Sequence, residues 1–276
     1  QFYGGAQAET KRVGVELAAN LVLEFSHTAT KGTDLGLTWE AHEQCRLGFQ
    51  EQLLFSILHQ TVTLLSTCHQ QRVLQCDPQA GARLIGSGLT LMSYALAWNF
   101  DPMSADRAMN YLQEDSTLLT PPGGWAGALL SDDFVSFLVA LQTDVAAISP
   151  EASATFYPVY IQLASLTGKI FGSDRDVVKQ QKHQHFERMM KLIFAVLRRA
   201  AAVPSDGPEA GPGLIGGCQA YARLVSTIDP AVGFFAAEHY EASCAETHRL
   251  TLHVMQQLAQ DPANHCLVEA LDAMLE

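Results

Sequence analysis

Histidine and cysteine side chains are the residues of this chain best suited to metal binding, and two groups of them have helical spacing. His183 and His185 are two residues apart, so on a helix they point in different directions and cannot easily share a metal. Cys244 and His248 are four residues apart and share a helix face, but a zinc site needs four ligands and no others are nearby. We interpret the histidine pair as part of a solvated polar face, and Cys244 as a core thiol beside a surface histidine.

Two further segments invite a catalytic or phosphate-binding interpretation. Asp132 and Asp133 could act as paired carboxylates, but they follow Ser131 at the start of an apolar run and predict first-turn acids of a helix. The glycine-rich residues 211–217 lack the preceding strand, Lys and Ser/Thr of a phosphate loop, and predict a loop that leads into a loosely packed helix start. We therefore expect no catalytic, cofactor-binding or metal-binding residues and no cofactor, and we expect that the protein is not an enzyme.

The length, net charge and hydrophobic content indicate a folded protein and argue against two kinds of partner, nucleic acid and membrane. The chain has 276 residues, a net charge of −12 and 48% hydrophobic residues, which predicts a substantial core and argues against nucleic-acid binding. The apolar residues 84–100 are interrupted by polar ones and predict a buried helix, so no membrane partner is expected.

The six cysteines contain no Cys-x-x-Cys pair, and free buried thiols in a reducing compartment are the simplest interpretation. The chain starts at Gln1 and stops inside a helical pattern, so we expect a fragment of a longer protein.

Helical periodicity covers nearly the whole chain, and strand patterns are almost absent. Val13, Leu17 and Leu21 form one apolar stripe, and similar stripes recur to residue 258. Asp77-Pro78 and Ser149-Pro150 have the residue types of helix starts. Because the helices pair at a period near the ~40–47 residues of HEAT-type repeats, the sequence predicts an all-α, HEAT-type helical-repeat superhelix, an α-solenoid. A compact helical bundle is the competing architecture.

The predicted organisation is a single α-solenoid segment over residues 1–276, with loops near residues 28–38, 101–124 and 203–212. Positive charge is concentrated in residues 169–199, which hold eight basic and three acidic residues. One interpretation is a basic helix packed beside acidic ones. The other is a patch that faces an acidic partner, with Lys179, Lys182, Arg198 and Arg199 as the candidate residues.

Four segments resemble the early repeats of the exportin-4-like nuclear export receptors, members of the importin-β (karyopherin) superfamily. Residues 21–26 lead through 35–45 to Phe49-Gln50-Glu51, and residues 97–100 (Ala-Trp-Asn-Phe) are similar to the family's Ser-Trp-Asn-Phe helix end. Trp125 with Leu129-Leu130 resembles a third segment, although the residues flanking Trp125 differ. Residues 162–171 are close to the family's Gln-Leu-Ala-Ser-Leu-His-Gly-x-Ile-Phe stretch. The exportin-7 group is the nearest one with which this family could be confused.

The resemblance implies a nuclear transport receptor that binds protein cargo together with Ran-GTP and carries it out of the nucleus. The implied partners are Ran-GTP, phenylalanine-glycine nucleoporins and cargo such as a hypusine-bearing translation factor or a Smad protein. The implied location is the nucleus and the cytoplasm, with shuttling through the nuclear pore. No contact residue of the family matches a position here, so none is transferred. The alternatives are a helical-repeat scaffold that binds protein without Ran, and a helical enzyme.

Overall fold

The computed structural model describes residues 5–26, 38–100, 118–202, 210–228, 237–261 and 264–275. Within these ranges the fold is all-α, as predicted, and the only β-type pairing is a single bridge between Leu119 and Leu166. The described α-helices are α1 (Gly5–Ser26), α2 (Trp39–Phe49), α3 (Phe55–Gln70), α4 (Val73–Cys76), α5 (Pro78–Leu96), α6 (Ala126–Leu129), α7 (Asp132–Ala146), α8 (Pro150–Ala154), α9 (Phe156–Ala164), α10 (Arg175–Ala202), α11 (Ala210–Thr227), α12 (Ala237–Gln260) and α13 (His265–Leu275).

Short non-α elements connect several of these helices. Five π-helical residues, Gln50–Leu54, join α2 to α3, so the two helices form one continuous helical run. The 3-10 turns Gly123–Trp125 and Gly168–Phe171 precede α6 and α10.

Local side-chain chemistry explains where three of the helices begin. The Asp77 carboxylate accepts a hydrogen bond of 3.1 Å from the backbone N–H of Ala80, and Pro78 occupies the first helical position of α5. The hydroxyls of Ser131 and Ser149 accept equivalent bonds of 3.2 Å at the starts of α7 and α8. Such caps satisfy N–H groups that have no partner inside the helix. The predicted starts at Asp77-Pro78 and Ser149-Pro150 are therefore confirmed.

The helices pack in two rows that follow the order of the chain. In the first row α1 packs on α5, α5 on α9, α9 on α11, and α11 on α13. In the second row α7 contacts α10, and α10 contacts α12. The rows contact each other where α10 packs on α11 and α12 on α13, and α3 packs on α5 of the first row. Within each row the helices follow one another in chain order, although consecutive members are two to four helices apart in the sequence.

Helix α5 is the most deeply buried helix of the N-terminal part, because α1, α3 and α9 all pack against it. Its side chains at Leu84, Ile85, Leu89 and Met92 have no exposed surface. At Gly88 an added Cβ would lie 2.9 Å from a methyl carbon of Leu65, so glycine lets α3 and α5 approach closely. This packing forms the core of the first half of the chain.

The prediction of a loosely packed helix start at residues 211–217 is wrong. Helix α11 begins at Ala210, and Pro212 fits in its first turn, where the missing N–H costs no helical hydrogen bond. An added Cβ would lie 2.8 Å from Ala200 at Gly213, 2.5 Å from Tyr157 at Gly216 and 2.6 Å from Leu197 at Gly217. The glycines therefore allow α11 to pack closely on α9 and α10.

The other predicted loops are described only in part. Residues 203–209 of the third loop and most of 28–38 and 101–124 lie outside the described residues. Thr38 caps α2, since its hydroxyl accepts a bond of 3.2 Å from Ala41 N–H. Residues 118–122 are non-helical and lead into the 3-10 turn at Gly123–Trp125.

The described helices can be compared with the length and hydropathy that a membrane-spanning helix requires. No single one of them is long and apolar enough to cross a bilayer. Only the pair Gly123–Leu129 and Asp132–Ala146 reaches the required length and hydropathy together, and a bend of 48° separates its two parts.

Candidate binding surfaces

The four residues of the predicted basic patch all lie on α10, but at opposite ends of it. Lys179 is exposed and Lys182 is half-buried, with its ammonium nitrogen 6.0 Å from the ring centroid of Phe171. Arg198 is exposed and Arg199 half-buried. A helix rises 1.5 Å per residue, so Lys182 and Arg198 are separated by roughly 24 Å along the axis. The structure therefore divides the patch into two pairs and does not bring the four side chains together.

Arg198, at the C-terminal end of α10, is joined to α12 by an ion-pair cluster. The Arg198 guanidinium donates to the Glu246 carboxylate over 2.6 Å, and Arg249 donates to the same carboxylate over 2.9 and 3.0 Å. The Glu246 side chain is only 13% exposed. Hydrogen bonds from Arg249 and then Arg198 lower the pKa of Glu246 to about 2. At Arg198 the charge thus holds two helices together, as the interpretation of a basic helix beside acidic ones predicts.

A second cross-helix ion pair involves one of the two adjacent aspartates. Both lie in the first turn of α7, after the cap at Ser131, so their prediction as first-turn acids is confirmed. The Asp132 carboxylate also accepts a hydrogen bond from Arg188 of α10. Asp132 therefore contributes to the packing of α10 against α7.

The interpretation of the histidine pair as a solvated polar face is wrong for His185. Its ring is completely buried, its Nε2 donates to the carbonyl oxygen of Leu163 over 2.9 Å, and its Nδ1 has no partner among the described residues. The Phe171 ring lies 5.5 Å away between centroids. Burial lowers the pKa of His185 to about 4, because the charged imidazolium would lose its hydration. His185 is thus a neutral core residue that joins α10 to α9.

His183 is half-buried, and its Nε2 lies 3.7 Å from the Glu187 carboxylate one turn further along α10. Over the ranges that the structure describes, no three His, Cys, Asp or Glu side chains come close enough together to hold a metal ion.

The cysteines differ in environment, although the five whose state the structure describes are all free thiols. Cys68 and Cys218 are buried, and burial raises the pKa of these thiols to about 11 and about 12. Cys45, Cys76 and Cys244 are exposed. The prediction of Cys244 as a core thiol is therefore wrong, because its side chain on α12 is exposed.

Two of the segments that carry the family resemblance meet in one aromatic and ionic cluster. The Phe49 ring stacks on Phe25 at 4.7 Å and on Trp98 at 5.6 Å, measured between ring centroids. The Trp98 indole donates to the Gln50 side chain over 2.8 Å. The guanidinium of Arg46, 2% exposed, lies over the Trp98 ring and donates to the Asn99 carbonyl and the Glu43 carboxylate. These residues hold α2 against the end of α5.

The segment at residues 162–171 is likewise used for packing. The Gln162 amide donates to the Ser93 hydroxyl over 3.2 Å and joins α9 to α5. The Leu119 N–H donates to the Ser165 carbonyl over 3.0 Å, and the Thr167 N–H donates to the Leu119 carbonyl over 2.8 Å. Gly168 has a φ of +76°, which favours glycine. The residues behind the resemblance therefore occupy structural positions in the described fold.

A cavity of about 780 Å³ opens between α3, α4 and α7. Its polar lining comes from His69, Gln70, Arg72, Gln75, Thr143 and Asp144, and its apolar lining from Cys68, Leu74, Ala147 and Ile148. His69 Nδ1 lies 3.1 Å from an Asp144 carboxylate oxygen, and the His69 ring meets Phe137 edge-on at 5.9 Å between centroids. No motif in the sequence marked this site, because its residues come from segments about 70 positions apart.

A smaller apolar groove of about 380 Å³ lies between α1 and α3. Gly14, Val15 and Ala18 form one wall, Ile57 and Leu64 the other, and Leu91 of α5 the floor. An added Cβ at Gly14 would meet nothing within 4 Å, so this glycine keeps the groove open.

Both ends of the helical rows expose apolar side chains. On α1, Val13, Leu17 and Leu21 are 56%, 62% and 46% exposed, so their stripe does not enter the described core. On α12, Leu252 and Met255 are 44% and 51% exposed. Exposed apolar faces of this kind are typical of surfaces that contact other protein elements.

The described residues thus present one polar cavity, an apolar groove and two apolar end faces. No protein-family model matches this chain, and no solved structure matches it.

Proposed function

We propose that the chain is a segment of a HEAT-type α-solenoid that binds other proteins. The observation that carries this proposal is the packing of the helices in two rows that follow chain order. The helices α10 with α11 and α12 with α13 are successive pairs that bury their apolar faces on each other and on the adjacent pair. Arrays of this kind form extended surfaces that contact folded partners.

The two apolar end faces support the proposal that the array continues beyond them. On α1 the exposed Val13, Leu17 and Leu21 lie on the side opposite to the buried Ala8 and Val22, which face α5. A further helix on this stripe would extend the first row with the same kind of contact that α1 makes with α5. The exposed Leu252 and Met255 of α12 offer a similar face at the other end.

Within this architecture, the function we propose is that of an exportin-4-like nuclear export receptor. Such a receptor binds protein cargo with Ran-GTP, shuttles between nucleus and cytoplasm, and contacts phenylalanine-glycine nucleoporins at the pore. Four sequence segments in matching order support it, and so does the net charge of −12, which favours fast association with basic partners. Specific cargo, such as a hypusine-bearing translation factor or a Smad protein, follows from the resemblance alone.

A scaffold that binds protein independently of Ran is the second candidate. It is favoured by the positions of the resemblance segments, since Trp98, Gln50 and Gln162 all make internal contacts. Residues that make internal contacts determine how the helices pack and do not identify a partner. A solenoid that binds other partners could therefore have the same internal contacts.

A pull-down of the chain with purified Ran tests the proposal. Ran locked in the GTP form is compared with Ran in the GDP form, each with and without a cell extract as the source of cargo. Export-receptor function requires capture that is stronger with Ran-GTP, and cargo capture that depends on it. Equal capture with both nucleotides, or cargo capture without Ran, would support the scaffold.

A further inference from the structure

We propose that the cavity between α3, α4 and α7 binds a short acidic peptide segment of a protein partner, with its carboxylate at Arg72 and an adjacent apolar side chain inside the cavity. This inference rests on the proposed protein-binding function and adds a specific contact site to it. The cavity, about 780 Å³, is large enough for a few side chains.

Arg72 supplies the positive charge of the site. Its backbone ends α3, where its N–H donates to the His69 carbonyl over 3.0 Å, and its own carbonyl accepts a bond of 2.9 Å from Gln75 N–H. These bonds fix the base of the side chain at the wall of the cavity. In the described part of the chain no carboxylate lies within ion-pair distance of the exposed Arg72 guanidinium. An arginine without a carboxylate partner can bind an incoming carboxylate by donating two parallel N–H···O hydrogen bonds to it.

One acid also lines the cavity. The Asp144 carboxylate has one oxygen 3.1 Å from His69 Nδ1. The remaining polar groups at the wall are the amides of Gln70 and Gln75 and the hydroxyl of Thr143, which donate or accept hydrogen bonds without adding charge. A ligand carboxylate placed at Arg72 therefore meets a cation and neutral hydrogen-bonding groups, while an ammonium at the same place would be repelled by the guanidinium. The ligand carboxylate thus lies at Arg72 and away from Asp144, which would repel it.

The apolar part of the wall sets the second requirement on the ligand. Leu74 and Cys68 are buried beneath the cavity, and Ala147 and Ile148 close it from the end of α7. A purely polar ligand would leave Ala147 and Ile148 in contact with water, whereas an aliphatic group next to the carboxylate would cover them. The chemistry of the site thus fits an acidic residue that adjoins an aliphatic one.

Titration of the intact chain by NMR tests this site with three probes: sodium hexanoate, hexylamine hydrochloride and the peptide acetyl-Glu-Leu-amide. The methyl signals of Ile148 and the ring signals of His69 report on the cavity. We expect saturable shifts with hexanoate and with the peptide, and at least fivefold weaker binding of hexylamine. Arg72→Gln should weaken the two carboxylate probes at least fivefold, while the control Arg83→Gln, which removes an exposed arginine of α5, should not.

The absence of saturable shifts with hexanoate, equal binding of hexylamine, or unchanged binding to Arg72→Gln would overturn the site. If hexanoate binds but the peptide does not, the assignment of the cavity to a protein partner is overturned, and the cavity is a site for small carboxylates. Because these probes contain neither Ran nor cargo, the result is separate from the pull-down. The export function can fail while the cavity binds the peptide, and the reverse can also occur.

Discussion

His185 Nε2 lies 2.9 Å from the carbonyl oxygen of Leu163, and this hydrogen bond joins α10 to α9 inside the core. The ring has no exposed surface, and its Nδ1 finds no donor in the described structure. A protonated imidazole at this position would be a buried charge without a carboxylate partner. His185 is therefore the residue through which acid should weaken the packing of these two helices.

Lowering the pH from 6.5 to 4 is expected to destabilise the chain through His185. The native-state pKa is about 4 and the ordinary value is 6.5, so between these values the unfolded chain binds a proton that the native chain does not. The free energy of unfolding then falls as the pH falls, by up to about 3 kcal/mol. Urea unfolding followed by circular dichroism at a series of pH values measures this loss.

The variant His185→Gln should keep a donor for the Leu163 carbonyl and lose the ionisable ring. Its unfolding free energy should therefore depend less on pH in this window than that of the parent chain. His183→Gln, which changes the half-buried neighbour, is the matched control and should retain the pH dependence. Equal slopes in the parent chain and in His185→Gln would contradict the assignment of this effect to His185.

Gly216→Ala is expected to destabilise the chain by about 2 kcal/mol or more. The new Cβ would lie 2.5 Å from the Cβ of Tyr157, and neither α11 nor α9 can move without disturbing the buried core around them. Gly14→Ala is the control, since its Cβ meets nothing within 4 Å, and alanine in the helix interior should stabilise by up to about 1 kcal/mol. Thermal unfolding of both variants decides the question; similar midpoints would contradict the close packing of α11.

The parts of the fold that follow from local chemistry were predictable from the sequence. The caps at Asp77, Ser131 and Ser149 depend on residues three positions apart, so the sequence contains both partners of each bond. The all-α class follows in the same way from apolar periodicity, because a helix face is defined within a few turns.

The parts that depend on distant helices were not predictable. His185 is buried because α9 and the Phe171 segment cover it, and no feature of the local Lys-His-Gln-His sequence indicates this. The glycines of α11 have the composition of a loop, but they serve a close approach to Tyr157 and Leu197. The cavity at Arg72 also joins residues from separate segments.

Glu246→Gln is expected to lower the free energy of unfolding by about 1 kcal/mol at neutral pH, because it removes the charge that Arg198 and Arg249 share. The native pKa of about 2 lies below the ordinary 4.5, so this contribution is present above pH 4.5 and is lost as the pH falls toward 2. A double-mutant cycle with Arg198→Gln measures the coupling across α10 and α12, and Glu241→Gln, an exposed acid of α12, is the control. Additive effects of the two substitutions would show that the cross-helix pair contributes nothing.

Arg72 has a φ of +51°, a conformation in which the Cβ of any residue except glycine costs free energy. Arg72→Gly should therefore be more stable than Arg72→Ala by about 1 kcal/mol, because both variants lose the guanidinium and only glycine relieves the strain. At Arg83, in the middle of α5, the same two substitutions should give the opposite order, since glycine weakens a regular helix. Urea unfolding of the four variants measures both differences. If Arg72→Ala is as stable as Arg72→Gly, then α3 does not end in the left-handed conformation that positions Arg72 at the cavity.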